Sequence, residues 1–259
     1  ANGDWTARER MDCLFDAGSF TEIGMHTRHH CTQFGMQGKE IPGDGIVSGY
    51  GLVDGRPVAA VSADFLAQGG SLGYMHAQKI CDAQRYALKA GMPVIQMNDS
   101  GGARLQEGVE ALTGFADVFY NNVAASGVVP QISLILGPCA GGAAYSPALT
   151  DFIIIRRGGS AGMYITGPKV IEQVTYEKCT MDEIGAADVH AAVSGNAHFV
   201  ANSDEEAIGI AKRLLTYLPS NNAQNPPHKL DTPLDIAVDE GMNDIIPESN
   251  SQPLDMQRV

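Results

Sequence analysis

Two stretches decide the fold: Pro93–Leu112, PVIQMNDSGGARLQEGVEAL, and Pro130–Ile155, PQISLILGPCAGGAAYSPALTDFIII. Each opens on a proline, runs through a short apolar segment (VIQM, QISLIL), meets Gly-Gly-Ala and passes into a helical pattern. The two Gly-Gly pairs, Gly101-Gly102 and Gly141-Gly142, are 40 residues apart. A short apolar run bounded by turn residues reads as a buried strand. Strand, glycine turn, helix, then strand again predicts an α/β layered fold.

Working outward, TARERMDCLFDAG predicts a short helix capped by Thr6 and closed at Gly18. GIVSGYGLVDGRPVAAVSADF reads as two strands joined through Asp54-Gly55, a hairpin turn pair. GYMHAQKICDAQRYALKAG predicts a helix ended by Gly91, with Pro93 beyond it. RLQEGVEALTGFADVFYNNVAASG carries Leu105, Val109, Leu112, Phe115, Ala116 and Phe119 as a broad apolar stripe, wider than one contact face needs. Downstream, GMYITGPKVIEQVT suggests a strand and then a helix from Pro168, and SDEEAIGIAKRLLTYL a helix capped by Ser203 or Asp204. From Pro219 to Val259 the Pro-, Asn- and Asp-rich chain reads as an extended arm.

The 259 residues carry a net charge of −13 and are 44% hydrophobic. The acidic balance argues against a nucleic-acid or anionic-membrane surface, and no apolar run reaches spanning length. Five scattered cysteines without Cys-x-x-Cys read as reduced thiols of a cytoplasmic protein.

A glycine pair before a helix lets a ligand approach backbone N–H groups that the first helical turn leaves unpaired. Two such turns side by side would aim donors at developing negative charge, which is what an oxyanion requires. The plainer alternative is that the glycines only permit close strand–helix packing. Asp99-Ser100-Gly101-Gly102 also suggests a serine nucleophile, but a hydrolase needs an oriented histidine, for which His76, His190 and His198 are the candidates. GGSLG, Gly69–Gly73, matches a nucleophile elbow around Ser71 only formally, because no buried strand precedes it. RHHC at Arg28–Cys31, and Cys179 with His190 and His198, lack metal-ligand spacing, so no metal site is expected. Arg156-Arg157 reads first as a solvated pair, with a contact to a ligand phosphate as the alternative.

DSGGARLQEGVEAL, ASGVVPQISLILGPCAGGAAYSPALTDF, ITGPKVI and SGNAHF strongly resemble the carboxyltransferase subunits of biotin-dependent acyl-CoA enzymes. Their members include propionyl-CoA carboxylase β, transcarboxylase large and methylmalonyl-CoA decarboxylase α subunits. TARERMDCLFD and IPGDGIVSGYG fit the same pattern. The resemblance covers nearly the whole chain but only the N-terminal half of the family's two-domain subunit. It implies a crotonase-like spiral of ββα units. It also implies an oxyanion site at Gly101, Gly102 and Ala103 facing Gly141 and Gly142, with Gly70, Ser71, Ala140, Ala143 and Tyr145 beside the coenzyme A thioester. Carboxybiotin, borne on a biotin carboxyl carrier, would deliver the carboxyl group and its ring nitrogen would act as base, so no side-chain base is needed. The biotin side would come from the second carboxyltransferase domain of another subunit, so a homo-oligomer is expected, in the cytoplasm or, in a eukaryote, the mitochondrial matrix. The Clp protease, which shares the spiral, would have its serine near Tyr145, one step from Ser146. Ala63 and Ala186 stand where the family commonly has Gln and Gly. The competing functions are a CoA-binding module without turnover and a crotonase-type or serine hydrolase.

Overall fold

The computed structural model describes residues 5–227, 240–249 and 251–254. Two compact units divide the chain, Ala1–Pro227 and His228–Val259. In the second, the described residues include one short 3₁₀ helix, Glu240–Asp244. Asn221 Nδ2 donates to Gly91 O, and Asn222 N–H to Val128 O, so the start of the expected arm stays with the first unit. Residues 228–239, 250 and 255–259 of that arm lie outside the described residues.

The first unit is built on one eight-stranded sheet. Strands β1 (Thr21–Glu22), β2 (Ile46–Val53) and β3 (Arg56–Ala63) pair antiparallel. Asp54 and Gly55 turn the hairpin with φ of 50° and 77°, the left-handed pair that matches strand twist. β3 then runs parallel to β4 (Val94–Ser100), β5 (Gln131–Ala140), β6 (Phe152–Arg156) and β8 (Phe199–Ala201), in that order. β7 (Gly162–Tyr164) adds to the end of β5.

Alternate residues of the parallel strands face two helical layers. Ile95, Met97, Ile132, Leu134, Leu136 and Ile154 pack against α1 (Ala7–Leu14) and α8 (Asp204–Leu215). Val61, Ile135, Cys139, Ile153 and Ile155 meet Ile80, Cys81, Phe115 and Val118 of α2 (Tyr74–Ala90) and α3 (Val109–Ala125). α4 (Gly142–Ala148) lies in the second layer too, while α5 (Pro168–Thr175), α6 (Met181–Gly185) and α7 (Ala187–Val189) follow β7. A full strand–strand–helix unit occurs at β2–β3–α2. Among the described residues no helix is long and apolar enough to cross a membrane.

Two expectations change, and a third, the width of the α3 stripe, is resolved residue by residue. Thr6 caps α1 in a reciprocal capping box with Glu9, but the helix ends at Leu14 because Phe15 turns extended to stack on Phe20. The helix expected from Arg104, directly after Gly-Gly-Ala, is delayed: a 3₁₀ turn, Leu105–Glu107, comes first, and α3 starts only after Gly108. The apolar stripe of α3 splits. Ala111, Gly114, Phe115 and Val118 face the core, whereas Leu105, Val109, Leu112 and Ala116 join Tyr120 and Val123 on an outward apolar face.

Candidate active site

The two glycine turns leave the C-terminal ends of β4 and β5, which are adjacent and parallel. Ser100 pairs with Cys139, and a Cβ on Gly102 would stand 3.0 Å from Ala140 O. The pairing advances two residues on β4 from Asn98 to Ser100 but four on β5 from Ile135 to Cys139. This bulge makes room for Asp99, whose carboxylate fills the space a side chain at Gly137 would need.

The N–H groups of the turns are not equivalent. Gly101 N–H donates to Gly69 O (2.9 Å), Gly102 N–H to Ser100 Oγ (3.2 Å) and Gly141 N–H to Tyr164 O (2.8 Å). Ala103, Gly142 and Ala143 N–H have no protein acceptor among the described residues. Gly101, Gly102 and Gly141 therefore shape the turns, while Ala103, Gly142 and Ala143 hold the free donors. Gly141 has φ 56° and ψ −124°, a conformation closed to most L-residues. Gly142 is small for another reason: a Cβ there would meet the Phe115 ring at 3.0 Å.

Gly70 and Ser71 lie against the first turn, since a Cβ on Gly70 would overlap Asp99 O and Leu72 bridges to Ala103. No strand precedes Ser71, so GGSLG is not an elbow; Gln68–Gly70 is a 3₁₀ turn. Ala140 ends β5, Ala143 is buried, and Tyr145 stands half-exposed on α4 with its ring 6.1 Å from Phe119.

The serines are poor nucleophiles. Ser100 is buried and its Oγ accepts from Gly102. Ser146 is buried, with Asn122 Oδ1 at 2.9 Å and Gln96 Oε1 at 3.1 Å. His76 lines the same small cavity as Ser100, but its Nδ1 donates to Asp44 O (2.9 Å) and no hydrogen bond joins it to Ser100. Burial, then the nearby Arg104, push the His76 pKa down to about 3, so the ring is neutral. His190 binds Met163 O and Ser194, and His198 Nδ1 accepts Ile153 N–H: both are structural. Among the described residues no group of three or more His, Cys, Asp or Glu could hold a metal.

Two buried ion clusters flank the turns, and neither was anticipated from the sequence. Arg10 of α1 binds Asp99 (3.0 Å) and Asp204 (2.7 Å), and Arg156 binds Asp204 (2.9 Å). Arg156 is thus an internal partner and not half of a solvated pair; Arg157 is the exposed one, paired with Asp188. On the other side Arg104 joins Asp44 and Glu107. Burial raises the pKa values of Asp44 and Asp99, and the facing arginines oppose the rise. Gly-Asp-Gly at Gly43–Gly45 was the available sign, because an acid between glycines has the backbone freedom to turn inward. Ala186 has φ −70°, which any residue adopts, so replacing glycine there strains nothing.

An α/β domain with unpartnered backbone N–H groups at the ends of adjacent parallel strands has the fold of the crotonase class. The whole chain, residues 1–259, matches the carboxyl transferase domain family, and it belongs to that family. It is 50% identical to methylmalonyl-CoA decarboxylase subunit alpha of Veillonella parvula, over 100% of this chain and 51% of that protein. It is 47% identical to the methylmalonyl-CoA carboxyltransferase 12S subunit of Propionibacterium freudenreichii subsp. shermanii, over 100% and 49%. The crystal structure of transcarboxylase 12S, a hexamer with hydrolysed methylmalonyl-coenzyme A bound, superposes with a TM-score of 0.88 at 47% identity, over 99% of this chain and 50% of that one. The chain spans about half the length of the relatives it matches.

Proposed function

We propose that this chain is the acyl-CoA half of a biotin-dependent carboxyltransferase acting on a short acyl thioester such as propionyl- or methylmalonyl-CoA. The observation that carries the reading is the set of unpartnered N–H groups, Ala103 on one turn and Gly142 and Ala143 on the other, at the ends of neighbouring strands. Two donors on a thioester oxygen stabilise the enolate that forms when the α-carbon gains or loses a carboxyl group. Donors fixed by a folded backbone need no reorganisation as that charge develops.

The titratable groups beneath the turns, His76, Asp44 and Asp99, are buried. A base brought from outside fits this arrangement. Biotin supplies that base and the carboxyl group when bound, and no residue of this chain is assigned to holding it. The outward apolar face of α3 and the exposed Val170 and Val174 of α5, which buries none of its residues, suit cover by another copy or its second domain. A place in a multi-subunit enzyme fits relatives that are themselves named as subunits or chains, one of them, from Sus scrofa, mitochondrial.

A crystal soaked with propionyl-CoA tests the reading. The thioester oxygen is expected about 2.7–3.1 Å from Ala103 N and from Gly142 or Ala143 N. A thioester bound elsewhere, with its oxygen turned from both turns, overturns it.

A further inference from the structure

Ala103 offers its N–H from a turn, not from a helix, so something must fix its direction. Resting on the reading of that N–H as an oxyanion donor, we propose that Arg104 is its positioning residue, acting through the buried cluster with Asp44 and Glu107.

The geometry is a clamp. Leu72 N–H donates to Gly102 O and Arg104 N–H donates to Leu72 O, both at 2.9 Å. The main chain is therefore pinned on each side of Ala103, and its N–H is the one between. Arg104 then grips the same strap with its side chain: Nη2 donates to Ser71 O (3.0 Å) and to Asp44 O (3.4 Å). Nη1 donates to Asp44 Oδ1 and to Glu107 Oε1 (2.9 Å).

The two acids are anchored in turn. Glu107 Oε2 accepts Tyr74 N–H (2.7 Å) and Asp44 Oδ2 accepts His76 N–H (2.8 Å). They cap α2, whose own N-cap, Gly73, has no side chain to do so. A Cβ on Gly73 would overlap both Arg104 Nη1 and Glu107 Oε1, so helix and cluster are in contact. To reach this place Asp44 adopts φ 51°, rare for a residue with a side chain. Lys79, donating to Gly43 O (2.9 Å) and Ile46 O, adds a second buried cation near Asp44.

Stability alone does not explain such a cluster. Well-packed apolar side chains commonly stabilise an interior as much as a buried ion triad does. What the ions add is direction. A planar guanidinium with fixed acceptors sets angles that apolar packing leaves loose, and a catalytic donor must be held to within about 0.5 Å.

The experiment uses the full subunit in its assembled enzyme, with Arg104→Lys and the near-isosteric Glu107→Gln and Asp44→Asn. Three quantities are read: kcat and KM for propionyl-CoA, the infrared carbonyl band of bound carbonyl-¹³C propionyl-CoA, and Tm. Arg104→Lys is expected to lower kcat about ten- to a hundredfold, short of losing a whole donor, with KM within about threefold. The carbonyl band should move back towards its free frequency. The two amide variants keep the caps on α2 and should show the same changes in smaller degree. A purely structural cluster would lower Tm and leave the band of the folded variants at the wild-type position, which overturns the proposal. If the wild-type enzyme itself does not shift the band, the donor reading fails and the proposal with it. If Arg104→Lys does not fold, the amide variants decide by the same band.

Discussion

Gly141→Ala is the sharpest perturbation this site allows. A Cβ at Gly141 meets nothing within 4 Å, so the substitution causes no clash. Its whole cost is backbone strain at φ 56°, ψ −124°, about 1–3 kcal/mol. For a domain of this size that is roughly 2–12 °C in Tm. Strain can be relieved by rotating the Gly141–Gly142 peptide, and ψ of Gly141 is the angle that aims the Gly142 N–H. Relief therefore turns a donor away, and losing one oxyanion donor costs about 10²–10³ in kcat. Gly108 supplies the control. It precedes α3 with φ 55° and ψ −126°, nearly the same conformation, and a Cβ there also meets open space. Gly108→Ala should cost similar stability and far less turnover. The assay is carboxyl transfer in the assembled enzyme, beside thermal unfolding of each variant. If Gly141→Ala loses no more activity than Gly108→Ala at matched Tm, the turn is a packing device and the donor argument is wrong.

Ser100→Ala strands the Gly102 N–H, so we expect about 1–3 kcal/mol of lost stability with most turnover kept; inactivation as deep as in Gly141→Ala would restore Ser100 as a nucleophile. Arg10→Met leaves Asp99 and Asp204 without their shared cation, and urea unfolding should show about 3–5 kcal/mol lost; a shift below about 1 kcal/mol would refute that cluster's role. Burial holds the His76 pKa at about 3 and the Lys79 pKa at about 8, both below their unfolded values. In each case the unfolded chain binds the extra proton, so each contribution makes stability rise with pH, from about 3 to 6.5 for His76 and from about 8 to 10.5 for Lys79. His76→Phe should flatten the acid limb and Lys79→Met the alkaline rise in denaturant midpoints; unchanged slopes would refute the assignments. Light scattering should find the chain as a dimer or larger, and Val109→Glu with Val123→Glu should shift it towards the 27.4 kDa monomer without lowering Tm; a wild-type monomer at tens of micromolar would count against the outward face as an interface.

The strands, the hairpin and the long helices were legible because each rests on a local rule. Asp54-Gly55 needs two left-handed residues, Gly91 closes α2 with φ 66°, and the apolar runs of β4, β5 and β6 are buried on both faces. The breadth of the α3 stripe marked it as serving two faces, but periodicity alone does not tell which one meets the sheet. What failed was also local. The start of α3 was misplaced because Gly-Gly-Ala looked like a helix entrance, whereas Ala103 is occupied by the bridge to Leu72, thirty-one positions away in the chain.

The site was legible as glycines but not as a division of labour. In sequence Gly101-Gly102-Ala103 and Gly141-Gly142-Ala143 are the same word, and each glycine could be a donor. In the structure three of the four are spent on Gly69 O, Ser100 Oγ and Tyr164 O, acceptors contributed by three different segments. Ser100 is local to Gly102, but Gly69 and Tyr164 are distant in the chain, so which N–H stays free is decided in large part by long-range pairing that no local pattern encodes. The charged residues were hidden for a related reason. Arg10, Arg104 and Arg156 look like surface residues in a chain of net charge −13, yet they hold buried acids on either side of the turns. An oxyanion site next to Asp99 and Asp44 would repel the charge it must stabilise unless those carboxylates were neutralised. The arginines meet that requirement, so the acidic surface and an anion-stabilising interior can belong to one domain.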